Sequence, residues 1–599
     1  MARIGGHDLT PFKDHIICVG QASRLPVPRR PASVSLPFLG WLLFLILSTT
    51  SSSHANVYAS DVRLGYSANN AASVPGRPVL ISYILNEPAT AGVSVRIFSG
   101  TNVARAFSFA AGIPGATTGS NAVLWNCQNQ SGSNLPPGIY SIQITASASG
   151  YPTWTNITDD GPQFAVPQPS AIAVNKNISS PFYGRVFVSS APGGAQAPGV
   201  FKFNADGSPA DEGGFSTGGY SWQDASPPGY SPWKISISAD DKVYINDWSG
   251  SGIILAFDEM ISTNFAYVLT PLNYPYANPD LSGPFVQGVG TNAEIWMADA
   301  NANGAGVIRW SLGSGGVIAS NDLGSTIIAD GAGSNLGYAP YDVTVDSNGN
   351  IYTIQNVDGA DAQYGGTGGG VGSCPGCAAM MRVLCFPPYS GQQETVATWE
   401  MGAFSNSLDI AYGISVDPTA RYLAVAARGD GGGLGHGNGE ILQNGGITIL
   451  YATNGMVITN INQNADGTTN MQCWDVAWDN VGNLYTTQIT DGTNEVWRVY
   501  SPPGTNQSTT PGVPIVQLYN ALTPPILSGP TIGSDATGNA QFQFMLQGQS
   551  NVTYLIEESS DLMSWSVIAT NYSTAALRAF TIQPTDQQGF YRAQIAPAF

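Results

Sequence analysis

Lys234, Asp342 and Asp475 stand at equivalent places in a repeated phrase, each one residue after an aromatic. Val286 and Gly413 take the same place in two further copies. If the copies surround a common axis, two carboxylates and one ammonium meet there. Paired carboxylates could hold a divalent ion such as Ca²⁺, which takes about six to eight oxygen ligands. Asp342 and Asp475 alone leave that set incomplete, and Lys234 would oppose a cation. The competing expectation is that both aspartates bond neighbouring backbone or pair with Lys234.

Four further groups could do chemistry. Asp299-Ala-Asn-Ala-Asn-Gly304 matches the first half of an oxygen-rich calcium loop, with Asp299, Asn301 and Asn303 as candidate ligands. Trp310 stands where a calcium loop of the EF-hand type needs Glu, so an ordinary Asn/Gly turn is the alternative. Cys374-Pro-Gly-Cys377 suits a small disulfide in an exported chain. Zinc binding would need a second pair, for which Cys385 and Cys473 are available, and Cys385 is also an alternative disulfide partner. Arg428-Gly-Asp430 opens a glycine-rich stretch containing His436, the one histidine after residue 55. That scarcity speaks against histidine-based acid–base pairs, and no nucleophile elbow or phosphate loop is present. Finally, Tyr220, Trp222, Tyr274 and Tyr276 lie between predicted strands, where rings can stack on sugars or peptides. Trp233 and Tyr341 read instead as packing residues.

The elements that position these residues are strands. Tyr341-Asp-Val-Thr-Val-Asp-Ser-Asn-Gly-Asn-Ile-Tyr352 alternates, turns through Asp/Asn/Gly, then alternates again; residues 411–423 and 473–485 repeat the pattern. Weaker copies begin near Ala171, Trp233 and Phe285. Such a unit cannot bury its own apolar face and must stack on copies of itself. Six copies predict a six-bladed β-propeller over 166–520, with 161–167 and 514–519 available to build a seventh blade. Residues 56–165 and 524–599 each alternate as a β-sandwich, and the Pro-rich stretches 502–513 and 523–530 read as linkers. The chain is therefore expected to be all-β.

Composition agrees. Charged residues are 10 % of the chain, while Gly (71) and Pro (40) are abundant, which suits many short strands and turns. The net charge of −19 repels phosphate backbones and anionic lipid, so nucleic acid is not an expected partner. Arg29-Arg30, the apolar run Leu36–Leu47 and Ser53-His-Ala55 read as a signal peptide with a long N-terminal extension over 1–55. Cleavage after Ala55 would leave a secreted or surface protein with no membrane insertion.

Three resemblances follow from the residues. The order ISYILNEPA (81–89), VSVRIF (93–98), VLWN (123–126) and LPPGIYSIQITA (135–146) resembles the FlgD Ig-like family, a structural sandwich of secreted bacterial proteins. Trp125-Asn126-Cys127 departs from its usual Trp-Asp-Gly turn. PYDVTVDSNGNIYTIQ (340–355) resembles NHL-type propellers and the related lactonase and streptogramin-lyase-like families. YLIEESSDLMSWSVIATN (554–571) and FYRAQI (590–595) resemble a C-terminal sandwich of sorting type found on exported bacterial proteins. These imply export and a scaffold, and leave function open. The reading is a binding protein for extracellular carbohydrate or protein. The alternatives are a metal-dependent lactonase- or lyase-like enzyme at the axial mouth, or a structural spacer.

Overall fold

The computed structural model describes residues 56–596 apart from 66–69, 192–198, 211–218, 223–231, 248–252, 259–260, 262–264, 275–280, 300–305, 314, 329–339, 358–379, 403–410, 428–444, 463–470, 490–494, 535–539, 550–551, 574–576 and 583–588. The described chain is all-β, with no α-helix. Six four-stranded antiparallel sheets form the middle of the molecule. Their innermost strands are Pro169–Val174, Ile235–Ile237, Leu281–Gln287, Pro340–Val345, Ala411–Val416 and Cys473–Trp478. Each lies beside the next, and the sixth returns to the first. These are the six blades of a closed propeller, numbered here in chain order.

Alternation explains why the blades stack. Along each inner strand successive side chains face opposite neighbours. Ala171 and Ala173 pack toward blade two, whereas Ile172 and Val174 pack toward blade six. One apolar cluster fills each of the six gaps, with Trp497, Trp310 and Trp478 among its fully buried side chains. The Asp/Asn/Gly turns also have a structural cause. Asp346 accepts the amides of Asn348 and Asn350 at 2.9 and 2.8 Å, and its other oxygen accepts the Tyr352 hydroxyl at 3.0 Å. Asp479 holds Val481 and Asn483 in the same way. The repeated Asp is thus the turn's internal acceptor.

Ring closure differs from the expected boundary. The outer strand of blade six is Thr155–Asn156, which pairs Asn156 with Tyr500 and Thr155 with Ser501. Residues preceding blade one therefore complete blade six. Residues 161–167 do not build a seventh blade: Phe164 packs edge-on against Trp497 at 4.8 Å, and Val166 N–H bonds Glu495 O at 3.1 Å.

The first sandwich is not confined to 56–165. One sheet holds Ala59–Leu64, Val79–Leu85 and Gly119–Trp125. The other holds Gly92–Ser99, Asn102–Phe109, Gly138–Tyr151 and Ala71–Ser73, together with two strands from beyond the propeller, Gly504–Pro511 and Val516–Leu518. Residues 502–513 are thus largely strand, not linker. Residues 514–519 close this sandwich, with Val516 opposite Tyr140 and beside Ala71. The propeller is an insertion into the sandwich. Two three-stranded sheets form the C-terminal sandwich around Phe544, Leu546 and Tyr554. Ala72 of the first sandwich joins that cluster.

Candidate functional site

The propeller axis is where the repeated phrase converges. Lys234 belongs to blade two, Asp342 to blade four and Asp475 to blade six. Lys234 Nζ donates to Asp342 Oδ2 at 3.2 Å and to Asp475 Oδ1 at 2.5 Å. Each carboxylate also reaches the next blade. Asp342 Oδ2 accepts the Ile414 N–H of blade five, and Asp475 Oδ2 accepts the Ile172 N–H of blade one, both at 3.1 Å. The three side chains are buried, at 4 %, 9 % and 6 % exposure. They form a hub joining alternate blades and clasping two blade gaps.

Burial works against the Lys234 ammonium, but the two carboxylates outweigh it and hold its pKa above the usual value. Burial raises Asp342 and pushes the Asp475 carboxyl up to about 6, against the pull of Lys234. An ammonium therefore occupies the point where an axial cation would need Asp342 and Asp475. Among the described residues no group of three or more His, Cys, Asp or Glu is placed to hold a metal.

Gly413 of blade five explains how the hub closes. A Cβ there would lie 2.5 Å from Asp475 Oδ1 and 2.7 Å from Asp475 Cα, although its backbone is not left-handed. Gly413→Ala is expected to push Asp475 from Lys234 and destabilise by about 1–3 kcal/mol, in the range for overpacking. A fall in the midpoint of chemical unfolding checks it.

One side of the hub opens into a cavity of about 630 Å³, bounded by the inner strands and the turns that follow them. Its walls mix aliphatic side chains with polar ones, Ser236, Thr344 and Ser415 among them, and the ion triad forms part of its lining. The aromatics that open the inner strands form a second feature at the axis. Tyr412 and Trp474 stack with centroids 4.5 Å apart. Trp233 meets Trp474 edge-on at 5.3 Å, and Tyr341 meets Tyr412 edge-on at 6.0 Å. Trp233 is 5 % exposed, while Tyr341, Tyr412 and Trp474 each keep part of their surface exposed. Four of the six blades contribute a ring to this cluster.

The expected loop aromatics lie elsewhere. Tyr220 and Trp222 are 5 % and 0 % exposed in the core between blades one and two, with Tyr220 5.0 Å from Phe257. Tyr274 is 7 % exposed in the core between blades two and three. Rings so buried pack blades and present no stacking face; Tyr276 falls outside the described residues. Asp299 is fully buried at the end of Glu294–Asp299, whereas Asn301 and Asn303 lie outside the described residues. Cys374, Cys377 and His436 also lie outside them. Cys385 and Cys473 are free thiols in different blade gaps, so they do not form a second metal-binding pair. Burial raises both to about 12, leaving them protonated at neutral pH. Tyr412 and Trp474 were visible in sequence only as strand starts. Their shared repeat position with Trp233 and Tyr341 is the signal that could have marked the cluster.

No protein-family model and no curated protein matches this chain. Among solved structures, a glycoside hydrolase is 10 % identical and aligns over 59 % of this chain and 91 % of its own, with a TM-score of 0.24. A likeness that distant places no constraint on substrate or reaction.

Proposed function

We propose that this chain is an exported binding protein that uses the aromatic cluster on its propeller axis to hold neutral carbohydrate. The carrying observation is the convergence of Trp233, Tyr341, Tyr412 and Trp474 from four blades, three of them partly exposed. Rings held by rigid strands lose little conformational freedom on stacking against a sugar face. The surrounding charge balance of −19 favours a neutral ligand over a polyanion. The metal-dependent lactonase or lyase alternative requires an ion between Asp342 and Asp475, where Lys234 now sits.

Titrating neutral oligosaccharides from a glycan array against the exported protein tests this reading. Trp474→Ala is expected to weaken binding by roughly tenfold or more, as for an interface aromatic worth about 2 kcal/mol. Tyr412→Ala should weaken it as well. Failure of the wild type to bind any glycan, or equal binding by both variants, would remove the proposal.

A further inference from the structure

The cavity beside the hub takes no part in the aromatic site. Lys234, Asp342 and Asp475 follow the aromatics that open their inner strands and precede the turns that end them, so the hub separates the two ends of the axis. None of the four clustered rings lines the cavity. It is entered from the turn end, where Lys176, Ser347, Pro418 and Asn480 are exposed at its rim. Its volume of about 630 Å³ falls in the range of about 300–1,000 Å³ in which proteins enclose small molecules.

The polar lining has its acceptors engaged and its donors in reserve. Four carboxylates line the cavity, those of Asp342, Asp346, Asp417 and Asp475. Asp342 and Asp475 accept from Lys234 and from the N–H groups of Ile414 and Ile172. Asp346 and Asp417 accept from the backbone of their own turns. An ammonium carries three N–H donors. Lys234 gives two of them to the carboxylates, which leaves a third. Thr344 and Ser415 line the wall with hydroxyls that form no hydrogen bond among the described residues. Ser236 Oγ accepts the Val286 N–H at 3.1 Å, and its own O–H remains available. At the rim, Lys176 forms neither a hydrogen bond nor an ion pair among the described residues. Burial lowers its pKa, against the pull of Asp479 and Asp417.

Charge narrows the class of ligand. Four carboxylates against two ammoniums leave the lining negative, which repels an anion, while Lys176 at the opening repels a cation. A neutral molecule rich in acceptor oxygens meets both conditions. Sugar hydroxyls accept from the unused N–H and O–H donors and return their own protons to the wall hydroxyls. Ile172, Ile414 and Val476 in the same lining offer apolar contact to C–H groups.

We propose that this cavity is a second ligand site, which takes one neutral polyhydroxylated molecule of monosaccharide size. The third N–H of Lys234 holds it at the floor, Ser236, Thr344 and Ser415 along the wall, and Lys176 at the mouth. The inference does not rest on the aromatic cluster.

The test uses the exported full chain with glucose, galactose, mannose and mannitol as probes, read by saturation-transfer NMR and calorimetric titration. At least one should bind, at one site per chain. Thr344→Val keeps the side-chain shape and breaks no hydrogen bond within the described chain, so the fold should stand. It should weaken binding roughly three- to tenfold, as for one lost hydrogen bond. Ser415→Leu should fill the cavity and abolish binding; if that variant fails to fold, Thr344→Val decides. Glucuronate and glucosamine should each bind more weakly than glucose. Binding of none of the probes, binding unmoved by Thr344→Val, or a charged analogue preferred over its neutral parent would each overturn the proposal. Ser415→Leu should leave oligosaccharide binding through Trp474 intact, so this site and the aromatic one fail separately.

Discussion

Lys234→Met is expected to destabilise the propeller by about 3–5 kcal/mol, the range for removing one partner of a buried ion pair. The substitution keeps most of the side-chain volume but strands Asp342 and Asp475 without their shared cation. Both would remain buried across two blade gaps, each still fixed to the N–H of a following blade. One carboxyl would have to take up a proton, so the loss should deepen as pH rises. Unfolding followed through tryptophan fluorescence checks this, because Trp233 and Trp474 adjoin the hub. The triple variant Lys234→Met, Asp342→Asn, Asp475→Asn should recover much of the loss, since buried ionic groups replaced together are often nearly neutral. If the single variant is as stable as wild type, the hub is not an ion-paired clasp. If calcium restores it, the aspartates can hold a divalent ion once Lys234 is gone.

A fragment of residues 56–165 is expected not to fold cooperatively, whereas the same fragment joined to residues 502–519 by a short flexible linker should. The second sheet is completed by Gly504–Pro511 and Val516–Leu518, and Val516 and Leu518 are fully buried in the common core. Without them the long strand Gly138–Tyr151 exposes an unpaired edge and part of its apolar face. Thr145 and Thr509, whose hydroxyls bond at 3.0 Å, are 364 residues apart in the chain. The sandwich therefore cannot close until the propeller between its halves has been made. Near-UV circular dichroism and a urea transition distinguish the two fragments. A cooperative transition from residues 56–165 alone would show that the returning strands merely decorate a complete domain.

The strands themselves were legible. A period of two in each copy of the phrase, with an Asp/Asn/Gly turn between strands, specifies a hairpin locally, because the turn's Asp satisfies its own backbone donors. Stacking follows from the same pattern, since both faces of these sheets are apolar and each needs a neighbour. Six copies therefore predict six blades. Pairing between distant strands was not legible. A strand's pattern tells which face is buried and not which edge it joins, so Gly504–Pro511 looked like a linker. Thr155–Asn156 is too short to carry any pattern, yet it closes the ring.

The site divides in the same way. Residue types at the repeated position announced two carboxylates and an ammonium near one axis. That the ammonium binds both carboxylates depends on contacts across 108 and 241 residues, set by the spacing of alternate blades around the ring. Aromatic residues were equally visible, but their exposure was not. Tyr220, Trp222 and Tyr274 fell into blade gaps because the neighbouring blade supplies an apolar wall there. Tyr412 and Trp474 open inner strands, where the walls end and the rings meet one another across the axis. The sequence by itself determined the hairpins of the repeated phrase, their turns and the number of blades, because those rest on interactions within about a dozen residues. Only the tertiary structure decided how the ring closes, which charges neutralise each other and which aromatics reach the surface, because each depends on which distant strand lies alongside.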